Sequence, residues 1–458
     1  MRLATVFAFA CALTPLAACS GGGGAAAPGP RPQPSSSAAT PTPGATATPS
    51  PTPVPGLGSI KYVVIIFQEN RTPDNLFQGV PGADIASSGL NTSGQTIALQ
   101  PIPLANTYDL DHSHTGFLHM YDNGKMDGAN TVGVSCGTSC PYVNPQYGYV
   151  PSTDNAPYVR MATQYTFGDR MFQTNQGPSY PAHQFIFAGT SAPNAGSGLL
   201  VSENTATGKQ PGCLASEQAP VTVIDPAGSE SMQVTSCFEH ATLSDLLDAK
   251  GLSWRYYTPT SLGIWVAPNS IAHIQSGADW ANVVSPETTI LSDVANGTLP
   301  RVSWVIPTAA ESDHAKSNDG TGPSWVASVV NAIGQSSYWN NTAIFVIWDD
   351  WGGWYDHVKP QIFGSYELGF RVPLIVISPY AKAGYVSHVQ HEFGSVLKFT
   401  EEVYNIGSLG YTDARADDLS DCFNFLQTPR SFTTIASRYS ASYFKHRPPD
   451  TRSPDTDY

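Results

Sequence analysis

The sequence predicts an α/β fold with a mainly parallel central sheet and helices on both of its faces. Three features point to it. Tyr62 to Phe67 (YVVIIF), Pro300 to Pro307 (PRVSWVIP), Ala343 to Trp348 (AIFVIW) and Arg371 to Ser378 (RVPLIVIS) are short, almost continuous apolar runs rich in β-branched and aromatic residues. That is the pattern of strands buried on both faces. Helical stretches stand between strands, which is how parallel neighbours are connected: Thr242 to Gly251, Gly322 to Ile333 and Phe393 to Tyr404. Several runs also stop abruptly at polar side chains, and ligands in open α/β sheets sit just beyond the carboxyl ends of strands.

Ahead of the first strand the chain has a different character. It begins Met1-Arg2, continues with an apolar run from Leu3 to Leu16, and reaches Leu16-Ala17-Ala18-Cys19. A basic start, a short apolar core and small residues before the cut describe a secretory signal over residues 1–19, too short to span a bilayer as a helix. Its ending resembles a bacterial lipoprotein signal, in which Cys19 becomes the lipidated first residue of the mature chain. Cleavage elsewhere, without lipid, is the alternative. Ser20, where an aspartate would signal retention at an inner membrane, favours outward sorting in a cell with two membranes. Residues 20–58 are Gly and then Pro, Ser, Thr and Ala, with almost no charge and few large apolar groups. They cannot form a core and read as a tether, with a reach on the order of 100 Å at about 3.1 Å per residue. The expectation is an exported, membrane-tethered protein, periplasmic or at the cell surface. Its catalytic-sized body covers 59–445 and a tail covers 446–458.

Only 13% of residues are charged, and after Leu16 no apolar run is long enough to cross a membrane. A net charge of −14 and the lack of a basic cluster argue against nucleic acid as a partner. Seven cysteines include Cys11 and Cys19 in the leader. In an exported chain, pairs Cys136–Cys140 and Cys213–Cys237 are the economical expectation, with Cys422 left over and buried; one or both pairs staying reduced is the alternative. A structural zinc at Cys136-Gly-Thr-Ser-Cys140 lacks a matching second half.

In chain order, the first strand runs into Gln68, Glu69 and Asn70. Thr72 then caps a helix that has Pro73 as its first residue. His112, His114 and His119 lie within eight residues but lack a metal-binding helical spacing. Ser179, between Pro178 and Tyr180 ahead of a helical run, reads either as a helix cap or as a residue beside an anion-binding helix start. The strand at 300–307 leads to Glu311, Asp313 and His314. The strand at 343–348 stops at Asp349-Asp350 and then Gly352-Gly353. Neighbouring strand residues face opposite ways, so both acids reach one point only if the pleat breaks, which the glycines permit. Such oxygens suit a hard divalent cation or zinc; a solvated turn is the bland alternative.

Together these pieces resemble the bacterial phosphoesterase family that includes phospholipases C and metal-dependent acid phosphatases, with an alkaline-phosphatase-like α/β fold. The resemblance covers about Lys61 to Phe425. Its carriers are Gln68-Glu-Asn-Arg71, His112 with Asn123-Gly-Lys-Met-Asp-Gly128, Gly177-Pro-Ser-Tyr-Pro-Ala-His183, Ser312-Asp-His314, Asp349-Asp350 with Gly353 and Tyr355-Asp-His-Val358, and Gly369-Phe-Arg-Val-Pro373. It implies Glu69, Asn70, Asp349 and Asp350 as ligands of one divalent metal ion and Ser179 as the nucleophile. His112 and His314 are implied at the phosphate, as catalytic and substrate-binding groups, and His183 and His357 as further substrate-binding residues. Thr72-Pro73-Asp74 replaces a common Ser-Phe-Asp, and Asp350 a frequent Glu; neither change removes a needed oxygen. The resemblance as it stands carries the expectation of no C-terminal β-type extension like that of the larger phospholipases C. The implied activity is hydrolysis of phosphate monoesters. Cleavage of phospholipid diesters and a catalytically inactive surface binding module are the alternatives.

Overall fold

The computed structural model describes residues 56–450 and 452, apart from 138, 207–209 and 216–218. The leader, Cys19 and nearly all of the tether therefore lie outside the described residues. Leu57 and Ile60, where the tether was expected to end, are already buried.

Eight strands form the main sheet: β1 Tyr62–Gln68, β2 Thr166–Gly168, β3 Trp254–Tyr257, β4 Val283–Val284, β5 Val302–Val305, β6 Thr342–Trp348, β7 Leu374–Ile377 and β8 Tyr385–Ser387. Their order is β4-β3-β5-β1-β6-β7-β2-β8. The first five in that order are mutually parallel. β7 alone runs against its neighbours β6 and β2, and β8 lies parallel to β2. The apolar run at 371–378 is thus a strand of reversed direction, which composition does not reveal. β2, β3, β4 and β8 were not signalled by the sequence, because two to four residues are too few to show a period.

The described helices used below are α1 Ala156–Gln164, α2 Ser179–Ala188, α3 Leu243–Ala249, α4 Gly322–Gly334 and α5 Phe393–Tyr404. Capping fixes where some begin. Thr72 accepts a bond from Asn75 N at the short helix Pro73–Leu76. Thr242 and Asp245 form a capping box at α3.

Both faces of the sheet are covered. Tyr256, Trp304, Ile65 and Phe345 stand in one row across four strands. Phe187 of α2 packs on Trp304 at 5.1 Å and Phe399 of α5 on Phe345 at 5.1 Å. Trp348 projects from the opposite face of β6, where Tyr158 of α1 meets it at 5.0 Å. Every residue of β6 is buried, so its apolar run must continue on both faces. Truncating a core aromatic such as Phe345 to Ala costs about 3–5 kcal/mol. At the end of the expected body, Phe444 packs on Trp325 of α4 at 5.4 Å, and Arg447 of the expected tail pairs with Asp319 at 2.9 Å.

This arrangement fixes where chemistry can occur. β1 and β6 are parallel neighbours in register Gln68↔Trp348. The next residues, Glu69 and Asp349, therefore leave the sheet side by side. β5, in register Ile66↔Val305, delivers the 306–315 loop to the same edge. β7 runs the other way, so its entry residue Arg371 arrives there too.

Candidate active site

At this edge the backbone bends sharply. Asn70 takes a left-handed conformation, φ 61°, and its N–H donates to Asp349 Oδ1 at 3.0 Å. Arg71 N–H donates to the Asp350 carbonyl at 2.9 Å. Gly352 has φ 64°, and a Cβ there would collide with the Asn70 carbonyl. These turns are the break in the pleat that brings both aspartates to one place. Asp349 and Asp350 are fully buried, which excludes the solvated turn. Arg71 bonds to the Asp313 and Leu104 carbonyls and to Asn75 Oδ1; none of these is Glu69, so an Arg71–Glu69 pair does not explain the acid.

Helix α2 supplies the opposite wall. Ser179 is its first residue and Pro178 occupies the cap position, with no side-chain cap bond. The Ser179 hydroxyl, 1% exposed, donates instead to Asp350 Oδ2 at 3.0 Å. Asp350 Oδ1 accepts from Gly352 N–H at 2.7 Å. His183, one turn along α2 on the same face, puts Nε2 3.3 Å from Glu69 Oε1 and 3.8 Å from Asp349 Oδ2. Its ring stacks on Phe67 at 4.9 Å. His183 therefore stands among the carboxylates, at the depth of a ligand.

The donor set suits a cation. Ligand atoms of Glu69, His183 and Asp349 lie within 4.8 Å of one another. Glu69 Oε2, Asn70 Oδ1 and Asp349 Oδ2 are buried and make no hydrogen bond among the described residues. Burial first, then Asp349 and Asp350, pushes the Glu69 carboxyl well above its usual range. Burial and Asp349 do the same to Asp350. Like charges crowded out of water hold protons unless a cation offsets them. Burial lowers His183 to about 4 against the pull of Asp349, which keeps the ring neutral at pH 7 with a lone pair to give. The residues present thus fit a divalent ion.

His112 and His314 meet at an angle nearby, ring centres 5.4 Å apart. Each donates Nδ1–H to a carbonyl, His112 to Leu110 and His314 to Ala315, both at 2.8 Å. With Nδ1 so engaged, Nε2 is the nitrogen through which each ring can exchange a proton. Trp265 lies 6.3 Å from both His183 and His314 and bridges the two groups. No motif marks Trp265 in the sequence. His357 goes elsewhere: Nδ1 bonds Asp74 Oδ2 at 2.8 Å and Nε2 bonds Asp84 Oδ1 at 3.0 Å. Its ring bonds run to acids outside the Glu69, Asp349 and Asp350 cluster.

The phosphoesterase family model matches residues 60–407. The chain belongs to that family. The phosphoesterase is 23% identical over 440 residues to phospholipase C B of Mycobacterium tuberculosis, covering 81% of this chain and 79% of that one. It is 24% identical over 432 residues to the non-hemolytic phospholipase C of Pseudomonas aeruginosa, covering 81% of this chain and 58% of that one. Among solved structures, an alkaline phosphatase superfamily protein from Vibrio parahaemolyticus overlaps at a TM-score of 0.37 and 10% identity, across 78% of this chain and 70% of that chain. As a member of this family the protein is a hydrolase of phosphoester bonds. Disulfides join Cys136 to Cys140 and Cys213 to Cys237, and Cys422 is a buried free thiol. No described helix is long and apolar enough to cross a membrane.

Proposed function

We propose that this phosphoesterase hydrolyses phosphate monoesters through a phosphoserine at Ser179. The observation that carries the reading is the Ser179 hydroxyl donating to Asp350 at 3.0 Å beside three buried, unpartnered oxygens. Glu69, Asn70, Asp349 and Asp350 would hold one divalent cation, with His183 in reach as a further ligand. Bound there, the cation supplies the positive charge that favours the serine alkoxide and offsets the phosphoryl oxygens. The protein's own groups do the rest. Asp350 orients the hydroxyl and, as a carboxylate that the bound cation would keep ionised, is placed to take its proton. Serine Oγ bonds to phosphorus as the ester oxygen leaves, and His112 or His314 supplies the proton that oxygen needs. Water then cleaves the phosphoserine, returning the hydroxyl and releasing phosphate.

Monoesters fit because the nucleophile and its neighbours are almost wholly enclosed. Ser179 is 1% exposed, His112 2% and His314 0%, which leaves room for a small phosphoryl group more readily than for a lipid on one side and a head group on the other. A second reading, cleavage of phospholipid diesters, is favoured by the names of the relatives. The test is a substrate panel on metal-reconstituted protein: p-nitrophenyl phosphate, p-nitrophenyl phosphorylcholine and phosphatidylcholine. Preference for the first by kcat/KM is expected. A preference for the choline esters replaces the first reading by the second. Turnover of none, with full metal content, returns the chain to a binding module. Lipidation of Cys19 and membrane attachment belong to the same proposal. Acyl labelling of the wild type, absent in Cys19→Ser, checks them.

A further inference from the structure

A second group of ligand-type side chains lies apart from the catalytic cluster, where β8, the start of α5 and the turn Ser420–Cys422 meet. We propose that His391, Asp421 and Cys422 form a second metal site, selective for zinc or a similarly thiophilic divalent ion, which ties the sheet edge to the 417–422 segment. His391 Nε2 lies 3.7 Å from Asp421 Oδ1 and 3.9 Å from Cys422 Sγ, and Sγ lies 3.5 Å from Asp421 Oδ1. Tetrahedral zinc, with bonds of about 2.0–2.3 Å, sets its ligand atoms roughly 3.3–3.6 Å apart. The three atoms therefore stand a few tenths of an ångström from a coordination triangle before any ion draws them in.

The surroundings match what a ligating histidine requires. His391 Nδ1 bonds both oxygens of Asp417 at 2.9 Å. That contact fixes the tautomer and turns the Nε2 lone pair toward the sulfur and the Asp421 carboxylate. Asp417 is itself held, by Ser395 Oγ at 2.5 Å and by Leu419 N–H at 3.0 Å. His391 and Cys422 are fully buried, while the Asp421 side chain keeps 23% exposure, leaving a way in for an ion. Ser387 Oγ, 2.9 Å from Nε2, donates to Asp421 Oδ2 at 2.5 Å, so it draws two of the three ligand side chains together and would yield Nε2 to an ion. The backbone beneath is fixed: the Cys422 carbonyl accepts from Lys382 N–H and from Thr166 Oγ1, each at 3.0 Å. A dication balances one thiolate and one carboxylate. The sulfur distinguishes this site from the oxygen-rich catalytic cluster, since thiolate selects softer metals. Glu392, next to His391, bonds Thr174 in the loop leading to Ser179 at 3.2 Å, so the second ion would stand behind that loop and not in it.

The different ligand chemistry makes the two sites separable. Full-length protein freed of metal with a chelator is titrated with Co²⁺ and followed in the near ultraviolet. The expected result is a sulfur-to-cobalt charge-transfer band, lost in Cys422→Ser together with one equivalent of bound metal but kept in Asp349→Asn. Zinc should also shield the Cys422 thiol of the wild type from iodoacetamide at least tenfold. A wild type without the band, or a Cys422→Ser variant with unchanged band and stoichiometry, overturns the site; His391 then serves only to hold Asp417 and Ser387 in place. If Cys422→Ser does not fold, the wild-type band and the shielding decide alone.

Discussion

Two buried acid clusters grow from the same two stretches of chain, a few residues apart, and they differ in one respect. Asp74 and Asp356 follow Glu69 and Asp350 by five and six residues respectively, and both are fully buried. They have a cation of their own: Arg371 grips Asp356 Oδ1 at 2.6 Å and Asp74 Oδ1 at 3.3 Å, and its remaining N–H groups reach the Asp84 and Asp169 carbonyls. No oxygen of Asp74 or Asp356 is without a partner among the described residues. Burial still lifts Asp356, but Arg371 opposes it. The cluster of Glu69, Asn70 and Asp349 has no arginine or lysine in its described contacts, and it carries three orphaned oxygens. The first arrangement is finished by the chain. The second is the one proposed to take an ion from solution, and Ser179 stands beside it. Acid content alone says little about function; which acids the fold leaves unpartnered says more.

The comparison can be broken at either end. The largest effect is expected at the nucleophile: Ser179→Ala should lower kcat by roughly 10³ or more while metal content and melting temperature stay near wild type. Had Ser179 been a helix cap, the same change would cost about 0.5–2 kcal/mol of stability and spare turnover; measuring both on one mutant distinguishes the two. At the finished cluster the loss should fall on stability. Arg371→Met strands buried carboxylates, and urea unfolding should report about 3–5 kcal/mol.

Glu69→Gln should behave in the opposite way. Without metal it should not be less stable than the wild type, because it removes a crowded charge. It should lose the stabilisation that a bound ion gives, about 2.7 kcal/mol at a hundred times Kd. Thermal melts with and without metal check this. A pH series sharpens the point. The Glu69 and Asp350 carboxyls are raised in the folded protein, so folded chain binds more protons than unfolded chain above their usual values near 4. Their contribution is complete below that range and is lost as pH rises through the folded values. Metal-free protein should therefore lose stability with rising pH relative to metal-loaded protein, and metal affinity should rise over the same interval. Parallel melting curves for the two forms would refute the coupling. The smallest effect belongs to His357. His357→Gln should alter stability by about 0.5–1.5 kcal/mol and leave KM and kcat close to wild type, since its ring is bonded to Asp74 and Asp84. A large rise in KM would return His357 to the substrate.

Local pattern in the chain carries only what a short window encodes. The buried strands at 62–68 and 342–348 follow from runs of β-branched and aromatic residues, the cap at Thr72 from the Thr-Pro pair, and the polar stops at Glu69 and Asp349 from where those runs end. Two parallel strands ending together put both acids at one edge, a juxtaposition legible from where the two apolar runs stop. The tertiary structure decided the rest, because side-chain partnership depends on register and on segments far apart in the chain. It reversed β7 and so brought Arg371 to the active edge, assigning His357 to an ion-pair network. It aimed Ser179 across 171 positions of sequence at Asp350, which local pattern could not tell from a cap. It also gathered His391, Asp417, Asp421 and Cys422 around one point, although the sequence offered only a leftover cysteine. No local spacing encodes such a group, because the ladder and turn bonds that hold those segments together exist only in the folded chain.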